Sequence, residues 1–275
     1  MKTQNILNEI FEYKKKEVSE RKTLYPQKLL ERSAFFSTET VSLKKYVLRK
    51  DKTGVIAEFK LRSPAKGYIN YSADVNRVTL GYMQSGASAL SILTDSYFFG
   101  GSLEYLKRAR KENYCPILQK DFILDTYQLL EAKSYGADAI LLIASMLHKE
   151  QLRYLAQFAH ELGMEVLFEI HNENELDKLN EYVDLVGINN RNLRTFRVDI
   201  QQSLRLQEAV PGQFIKIGES GITTPEMAFH LQRNGFDGLL IGETFMKNPN
   251  PVEACKRFIS NLEKLQYQNK TKVNL

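Results

Sequence analysis

The sequence contains no tryptophan, two cysteines and four histidines in 275 residues. Cys115 and Cys255 lie far apart, without the spacing of a metal site or a disulfide framework, so they read as buried or free thiols of a reducing compartment. His148, His160, His171 and His230 fall in different segments. Only His171 stands near the end of an apolar run. It shares a face with Glu169, no third ligand follows, and it reads as a helix-start residue, so no metal is expected. No apolar run approaches the roughly 18 residues of a membrane span. The opening MKTQNILNEIFEYKKK lacks the continuous apolar centre of a secretion signal. The expected compartment is the cytoplasm, with no membrane partner.

Charge of one sign is also scarce: the formal net charge is +5, with a pI near 8.9. Lys14-Lys15-Lys16 and the lysines after Glu263 account for much of the excess and read as solvated. Arg108-Ala109-Arg110-Lys111 likewise reads as a solvated helix face. No clustered basic face with interleaved aromatics is visible, which argues against a nucleic-acid partner; a mild positive excess suits a small anionic molecule. What is present is ordinary for a globular chain with a large core, 43% hydrophobic and 26% charged.

The stretch VIAEFKLRSPAKGYI, Val55 to Ile69, organises the rest. Its apolar start reads as a buried strand, yet it ends in Glu58 and Lys60, two residues apart and so on one face. Such charges are costly in a core and useful at the mouth of a site. The basic loop from Arg62 through Ser63 and Pro64 to Gly67 stops the strand.

A rhythm of short apolar runs and helix-length amphipathic segments follows. The runs are Val55–Phe59, Ala89–Thr94, Pro116–Gln119, Ala139–Ala144, Glu165–Ile170, Leu185–Asn189, Phe214–Gly218 and Gly238–Gly242. Helices are predicted at Asp74–Gln84, Leu103–Lys111, Thr126–Tyr135, Lys149–Leu162, Glu173–Glu181, Ile200–Glu208, Pro225–Arg233 and Val252–Leu262. One unit recurs about every 26 residues. Strict alternation implies a parallel sheet with helices outside, and eight units imply a closed (β/α)8 TIM barrel. An open doubly wound sheet would want a G-x-G-x-x-G turn, and none is present. Residues 1–54 form a helical extension, with apolar residues Ile6, Leu7, Ile10, Phe11 and Val18 at helix spacing and a second, less regular region from Lys28 to Arg49. The barrel then occupies 55–265, a basic tail 266–275, and no fused second domain is expected.

Sites of such barrels lie at the C-terminal strand ends. Those ends carry Glu58 and Lys60 (first), Lys120 (third), Glu169 (fifth), Asn189 and Arg191 (sixth), Glu219-Ser220-Gly221 (seventh) and Gly242 (eighth). Three carboxylates and two lysines converging on one mouth permit proton transfer. The glycines of the last two units offer backbone that a phosphate can approach. Tyr97-Phe98-Phe99 after the second run either shelters an aromatic substrate or packs a lid.

The segments IAEFKLRSPAKG, GASALSILTDSYFFGGS, PILQKDFI, LFEI, GINNRNL, IGESGI and IGETFM, in this order, resemble the indole-3-glycerol phosphate synthase family from about Glu9 to Phe258. The resemblance implies a (β/α)8 barrel of tryptophan biosynthesis, a carboxy-lyase. It would close the indole ring of 1-(2-carboxyphenylamino)-1-deoxy-D-ribulose 5-phosphate with loss of CO₂ and water and without a cofactor. Lys120 then matches the general acid at the ketone oxygen and Glu169 the carboxylate of the dehydration. Lys60 matches the contact for substrate carboxylate or phosphate, and has also been a candidate acid. Glu58 matches the carboxylate that orients the catalytic lysine, so it is expected to position Lys120 across the barrel. Asn189 and Glu219 match groups on the substrate's polar atoms; Gly221 and Gly242 match the phosphate cradle, with Ser220 and Arg191 as helpers and Ser63 in the loop beside it. Three positions depart from the family pattern: Leu61 where a basic residue is common, Ala65 in place of serine, and the carboxylate of Glu243 beside the phosphate glycine.

Two rivals carry different expectations. Another phosphate-binding barrel, such as phosphoribosylanthranilate isomerase, resembles a cysteine and aspartate site where this chain has Glu58 and Glu169. A non-catalytic ligand-binding barrel would lack one of the matched groups. The partner is therefore expected to be a small anion bearing phosphate and carboxylate, and the working oligomeric state is a monomer.

Overall fold

The computed structural model describes residues 6–191 and 198–273. Eight parallel strands, β1 (Val55–Phe59), β2 (Ala89–Leu93), β3 (Ile117–Lys120), β4 (Ala139–Ile143), β5 (Glu165–Ile170), β6 (Leu185–Asn189), β7 (Ile215–Glu219) and β8 (Gly238–Ile241), form one closed barrel. Each agrees with its run in the sequence to within a residue at either end. β1 closes the ring by pairing β2 on one side and β8 on the other, with Ile56 level with both Ala89 and Leu240.

Two apolar layers follow from strand alternation. Ile56, Leu118, Leu141, Leu167, Ile217 and Leu240 fill the lumen, whereas Val55, Ala57 and Phe59 join the layer between strands and helices. Full burial of each such Val, Leu, Ile or Phe side chain is worth roughly 1.5–3 kcal/mol. Glu58, two residues beyond Ile56, therefore projects inward at the top of the lumen.

Around the barrel stand α4 (Val75–Gln84), α5 (Leu103–Glu112), α6 (Thr126–Ser134), α7 (Lys149–Glu161), α8 (Ile200–Ala209), α9 (Pro225–Arg233), the short α10 (Glu243–Met246) and α11 (Pro251–Val273). Most are capped by the residue that precedes them, such as Asp74, Ser102 and Thr224, or Asp125, whose capping box is closed by Gln128. Two helices differ from expectation. The predicted helix Glu173–Glu181 is a 3-10 turn, Glu173–Lys178, because Asn180 instead folds a turn onto the Tyr182 amide. The last helix runs on past Leu262 to Val273. Among the described residues no helix is long and apolar enough to cross a membrane.

The N-terminal segment covers both ends of the lumen. α1 (Ile6–Leu24) lays Ile6, Leu7 and Ile10 over the mouth, α2 (Gln27–Leu30) packs on α6, and α3 (Leu43–Val47) plugs the opposite end with Leu43 and Val47. Here one expectation fails. Lys14 is not a solvated lysine: it lies four residues from both Ile10 and Val18, on the buried stripe, and is 1% exposed. Lys15 and Lys16 do face water. The stripe tolerates Lys14 because carboxylates from the barrel meet it there.

Arg110 is a second correction. It is not part of a solvated face but lies under α5, its guanidinium 2.6 Å from the buried carboxylate of Asp138. Asp138, just before β4, also accepts the amides of Ile117 at the start of β3 and Val41, both at 2.7 Å. Asp184 and Asp237 repeat the device before β6 and β8, accepting the amides of Val166 and Lys216. These aspartates fix strand starts at the end of the barrel remote from the mouth. Asp138→Asn leaves Arg110 buried without its charge partner, so urea unfolding is expected to show a loss of about 3 kcal/mol. A loss within the error of extrapolation would contradict that role.

Candidate active site

The mouth of the barrel is one cleft with a charged floor, one anion-binding side and one apolar side. Lys120, at the end of β3, is the floor's centre. Its Nζ stands 2.6 Å from Glu169 Oε2 and 2.8 Å from Glu219 Oε2, which reach it from β5 and β7. Glu169 Oε1 accepts from Asn189 Nδ2 at 3.1 Å and has His171 Nε2 at 3.3 Å. A second pair stands beside this group: Lys60 Nζ is 2.8 Å from Glu58 Oε1. The three carboxylates and two lysines expected at the strand ends all line the cleft, with Arg191, Asn189, Ser63, Ser220, Gly221 and Gly242.

Why the three carboxylates can crowd together is legible in two glycines. Gly187 lies in β6 between Glu169 and the β7 strand, in register with Glu169. A Cβ there would sit 2.1 Å from Glu219 Oε1, so only glycine leaves a slot through which Glu219 leans toward Lys120. At Gly242 a Cβ would lie 2.4 Å from Glu58 Oε1. Gly242 thus makes room for a carboxylate as well as bordering the anion side.

The floor's electrostatics split its groups. Burial alone would strip the proton from Lys120, but the carboxylates of Glu169, Glu219 and Glu58 outweigh it and hold the ammonium well above its ordinary pKa. Burial pushes Glu169 up, yet Lys120 and His171 overcome this and keep it well below the carboxylate range. For Glu219 burial prevails over Lys120, and with the charges of Glu169 and Glu58 it raises the group from 4.5 to about 7. His171 is raised despite its burial because Glu169, Glu175 and Glu219 surround it. The cluster therefore favours a protonated Lys120, an ionised Glu169 and a Glu219 carboxyl raised toward neutrality, an arrangement suited to moving protons.

The anion side is built from the loops after β6, β7 and β8. Ser220 and Gly221 both have left-handed backbone, φ 67° and 71°, a conformation that strains the serine. A Cβ on Gly221 would meet Val198 at 2.4 Å. Thr244 Oγ1 donates to the Ile222 carbonyl at 2.6 Å, tying the loops after β7 and β8 together. α10 is N-capped by Gly242, and the amides of a helix's first turn have no partner within the helix. Arg191 Nη2 lies 3.4 Å from Glu243 Oε2, and Lys66 of the loop after β1 pairs with the other oxygen. Burial opposes ionisation of Glu243, but Lys66, Arg191 and Lys60 hold its pKa below the usual range. Ser63 Oγ is buried at the cleft wall and makes no hydrogen bond among the described residues.

The apolar side comes from Ile6, Leu7 and Ile10 of α1 and from Phe99, Phe122 and Ile143. The two readings of Tyr97-Phe98-Phe99 divide among the three residues. Phe99 faces the cleft, Phe98 packs into the apolar cluster with Ile10, and the Tyr97 carbonyl accepts from Arg62 Nη1 of the loop after β1 at 3.1 Å.

Two expectations change. Glu58 makes its ion pair with Lys60 and not with Lys120, since Glu169 and Glu219 already occupy the latter. His171 is more than a helix-start residue, because as the second residue after Glu169 its ring returns to the same face and meets that carboxylate. Gly187 was not singled out from the sequence, and Ile6, Leu7 and Ile10 of α1 were read there only as a helix stripe, not as lining of the mouth. A glycine inside a strand was the available signal for the first. Among the described residues no group of three or more His, Cys, Asp or Glu is arranged to hold a metal ion.

Residues 7–258 match the family model described as Indole-3-glycerol phosphate synthase. The indole-3-glycerol phosphate synthase of Bacteroides thetaiotaomicron is 46% identical over 259 residues, covering 94% of this chain and 99% of its own. That of Campylobacter jejuni is 42% identical over 259 residues, covering 92% and 100%. Among solved structures, 3-hexulose-6-phosphate synthase from Salmonella typhimurium matches with a TM-score of 0.61 at 12% identity, over 77% of this chain and 99% of that one. A mutant tryptophan synthase alpha-subunit from Pyrococcus furiosus matches with 0.57 at 14% identity, over 78% and 99%. At such identities these two show the barrel fold alone.

An acid whose pKa rises on folding binds its proton more tightly in the native state. Glu219 therefore favours folding at low pH, and that contribution is lost as pH rises from 4.5 toward about 7. Infrared difference spectra between about pH 5 and about pH 9 are expected to show a protonated carboxyl stretch that disappears with a midpoint near neutrality. Glu219→Gln should remove that band; its survival would assign the proton elsewhere.

Proposed function

The chain belongs to the indole-3-glycerol phosphate synthase family, carboxy-lyases of tryptophan biosynthesis, and from this and the Lys120 cluster we propose how its residues divide the ring closure. The substrate is 1-(2-carboxyphenylamino)-1-deoxy-D-ribulose 5-phosphate, and the products are indole-3-glycerol phosphate, CO₂ and water. The observation that carries the assignment is the buried ammonium of Lys120 between two carboxylates in a cleft with one anion-binding side and one apolar side.

The phosphate lies against Ser220, Gly221 and Gly242, with Arg191 as its cationic neighbour. In taking it up, Arg191 and Lys66 exchange Glu243 for a stronger anion. The aromatic ring lies between Ile6, Leu7 and Ile10 on one side and Phe99 and Phe122 on the other. Lys60 meets the ring's carboxylate, and Glu58 keeps Lys60 in place. Lys120 donates a proton to the ketone oxygen as the carboxylate-bearing ring carbon attacks the carbonyl carbon. The attacking ring carbon is now tetrahedral; its bond to the carboxylate breaks, CO₂ departs, and the electrons of that bond restore the benzene ring. Lys120 regains a proton from the neighbouring carboxyl of Glu219 and passes it to the new hydroxyl, which leaves as water. Glu169, held ionised and oriented by Asn189, takes the proton released from the adjacent substrate carbon as the indole double bond forms and returns it to Lys120, while one proton from solvent restores Glu219. Glu219 holds Lys120 from the other side and faces the substrate's polar atoms.

An amino-acid biosynthetic role supports the cytoplasm as its compartment. A monomer suffices for this site, since every group named comes from one chain.

Lys120→Ala is expected to lower kcat by about 10³-fold with little change in KM, followed by indole fluorescence and CO₂ release. Near-UV circular dichroism should report an intact barrel. A fully active, folded variant would overturn the role given to Lys120.

A further inference from the structure

Lys14 joins the helix over the mouth to the two turns that carry aromatic residues into the cleft. Its ammonium lies 2.7 Å from Glu17 of its own helix, 2.9 Å from Asp95 after β2 and 2.8 Å from Asp121 after β3. Each aspartate also shapes its own turn. Asp95 Oδ1 accepts the amides of Phe98 and Phe99 at 2.7 and 3.0 Å. Asp121 Oδ1 accepts the amide of Phe122 at 2.7 Å, while its other oxygen takes the hydroxyl of Thr94. Phe99 and Phe122 face each other with ring centroids 5.9 Å apart, and Asp121 directly follows Lys120.

Without a cation between them, two aspartates buried this deeply repel, and the turns they shape separate. We propose that Lys14 is a positioning residue of the ring closure: by drawing the Asp95 and Asp121 turns together it fixes the Phe99–Phe122 wall that receives the substrate's aromatic ring, a role that rests on the reading of that wall given above. The other ionisable groups around the two aspartates are Tyr13 and Glu17 on α1, Tyr97 beyond β2, Glu131 on α6 and Lys120. None is a cation placed to replace Lys14, because Lys120 is engaged by Glu169 and Glu219.

Lys14→Met tests this with the full chain and the carboxyphenylamino ribulose phosphate. KM is expected to rise about tenfold while kcat changes less than about threefold, since the wall moves and the proton donor stays. The KM defect should shrink as pH falls and the aspartate pair takes up a shared proton, a dependence that a purely structural lysine would not produce. In Lys14→Met/Asp95→Asn the repulsion is gone, so KM should return to within about threefold of wild type and lose its pH dependence. A folded Lys14→Met with wild-type KM, or a folded double variant with no recovery, overturns the proposal. If Lys14→Met alone does not fold, the double variant decides by the same KM criterion; if neither folds, the lysine serves the fold itself and the proposal also fails. Phe122→Ala separates this from the wall's own role. Unchanged KM there defeats the wall reading, whereas raised KM there with unchanged KM in Lys14→Met defeats only the inference about Lys14.

Discussion

One buried cation shared by two carboxylates sets the arrangement of the mouth. Lys120 is stable as an ammonium only because Glu169 and Glu219 meet it, and these two are tolerable side by side only because Lys120 lies between them. The constraint spreads outward. Glu219 needs the slot at Gly187, Glu169 needs Asn189 on its free oxygen, and Glu58, excluded from Lys120, pairs with Lys60 and occupies the space left by Gly242. A cluster in which every charge is answered by a neighbour holds its geometry before substrate arrives, and it lets neighbouring carboxylates keep different protonation states.

The extension before the barrel belongs to this arrangement. α1 supplies apolar residues to the cleft and, through Lys14, an ion pair to each of the turns after β2 and β3. The loop after β1 closes the other side, held by Arg62 to the Tyr97 carbonyl, by Lys66 to Glu243 and by Asn70 to the Met246 carbonyl. The lower end of the barrel has a different task. There α3 seals the lumen and aspartates such as Asp138 hold strand starts, so the functional and structural ends of the same strands are separate.

The barrel was legible in the sequence because parallel strands buried on both faces leave apolar runs that stand out between amphipathic helices. The strand-end charges were legible for the same reason, since Glu58, Lys120, Glu169 and Glu219 interrupt or end those runs. Their pairing was not. Which carboxylate reaches which lysine depends on register and on vacant Cβ positions, so Glu58 was expected on Lys120 and is found on Lys60. Lys14 was hidden in a run of three lysines, and only the helical phase with Ile10 and Val18 distinguishes it from Lys15 and Lys16. Arg110 was hidden in the same way, its partner Asp138 lying on another element 28 residues away.

The division of labour between Lys120 and Lys60 is the central claim, and a crystal structure with an unreactive substrate analogue carrying the phosphate, the aromatic carboxylate and the ketone oxygen tests it most directly. The expected result places the ketone oxygen within hydrogen-bond reach of Lys120 Nζ, with the carboxylate at Lys60 and the phosphate against Ser220, Gly221 and Gly242. A ketone oxygen bound by Lys60, with Lys120 still enclosed by Glu169 and Glu219 and out of reach of the ligand, would contradict it.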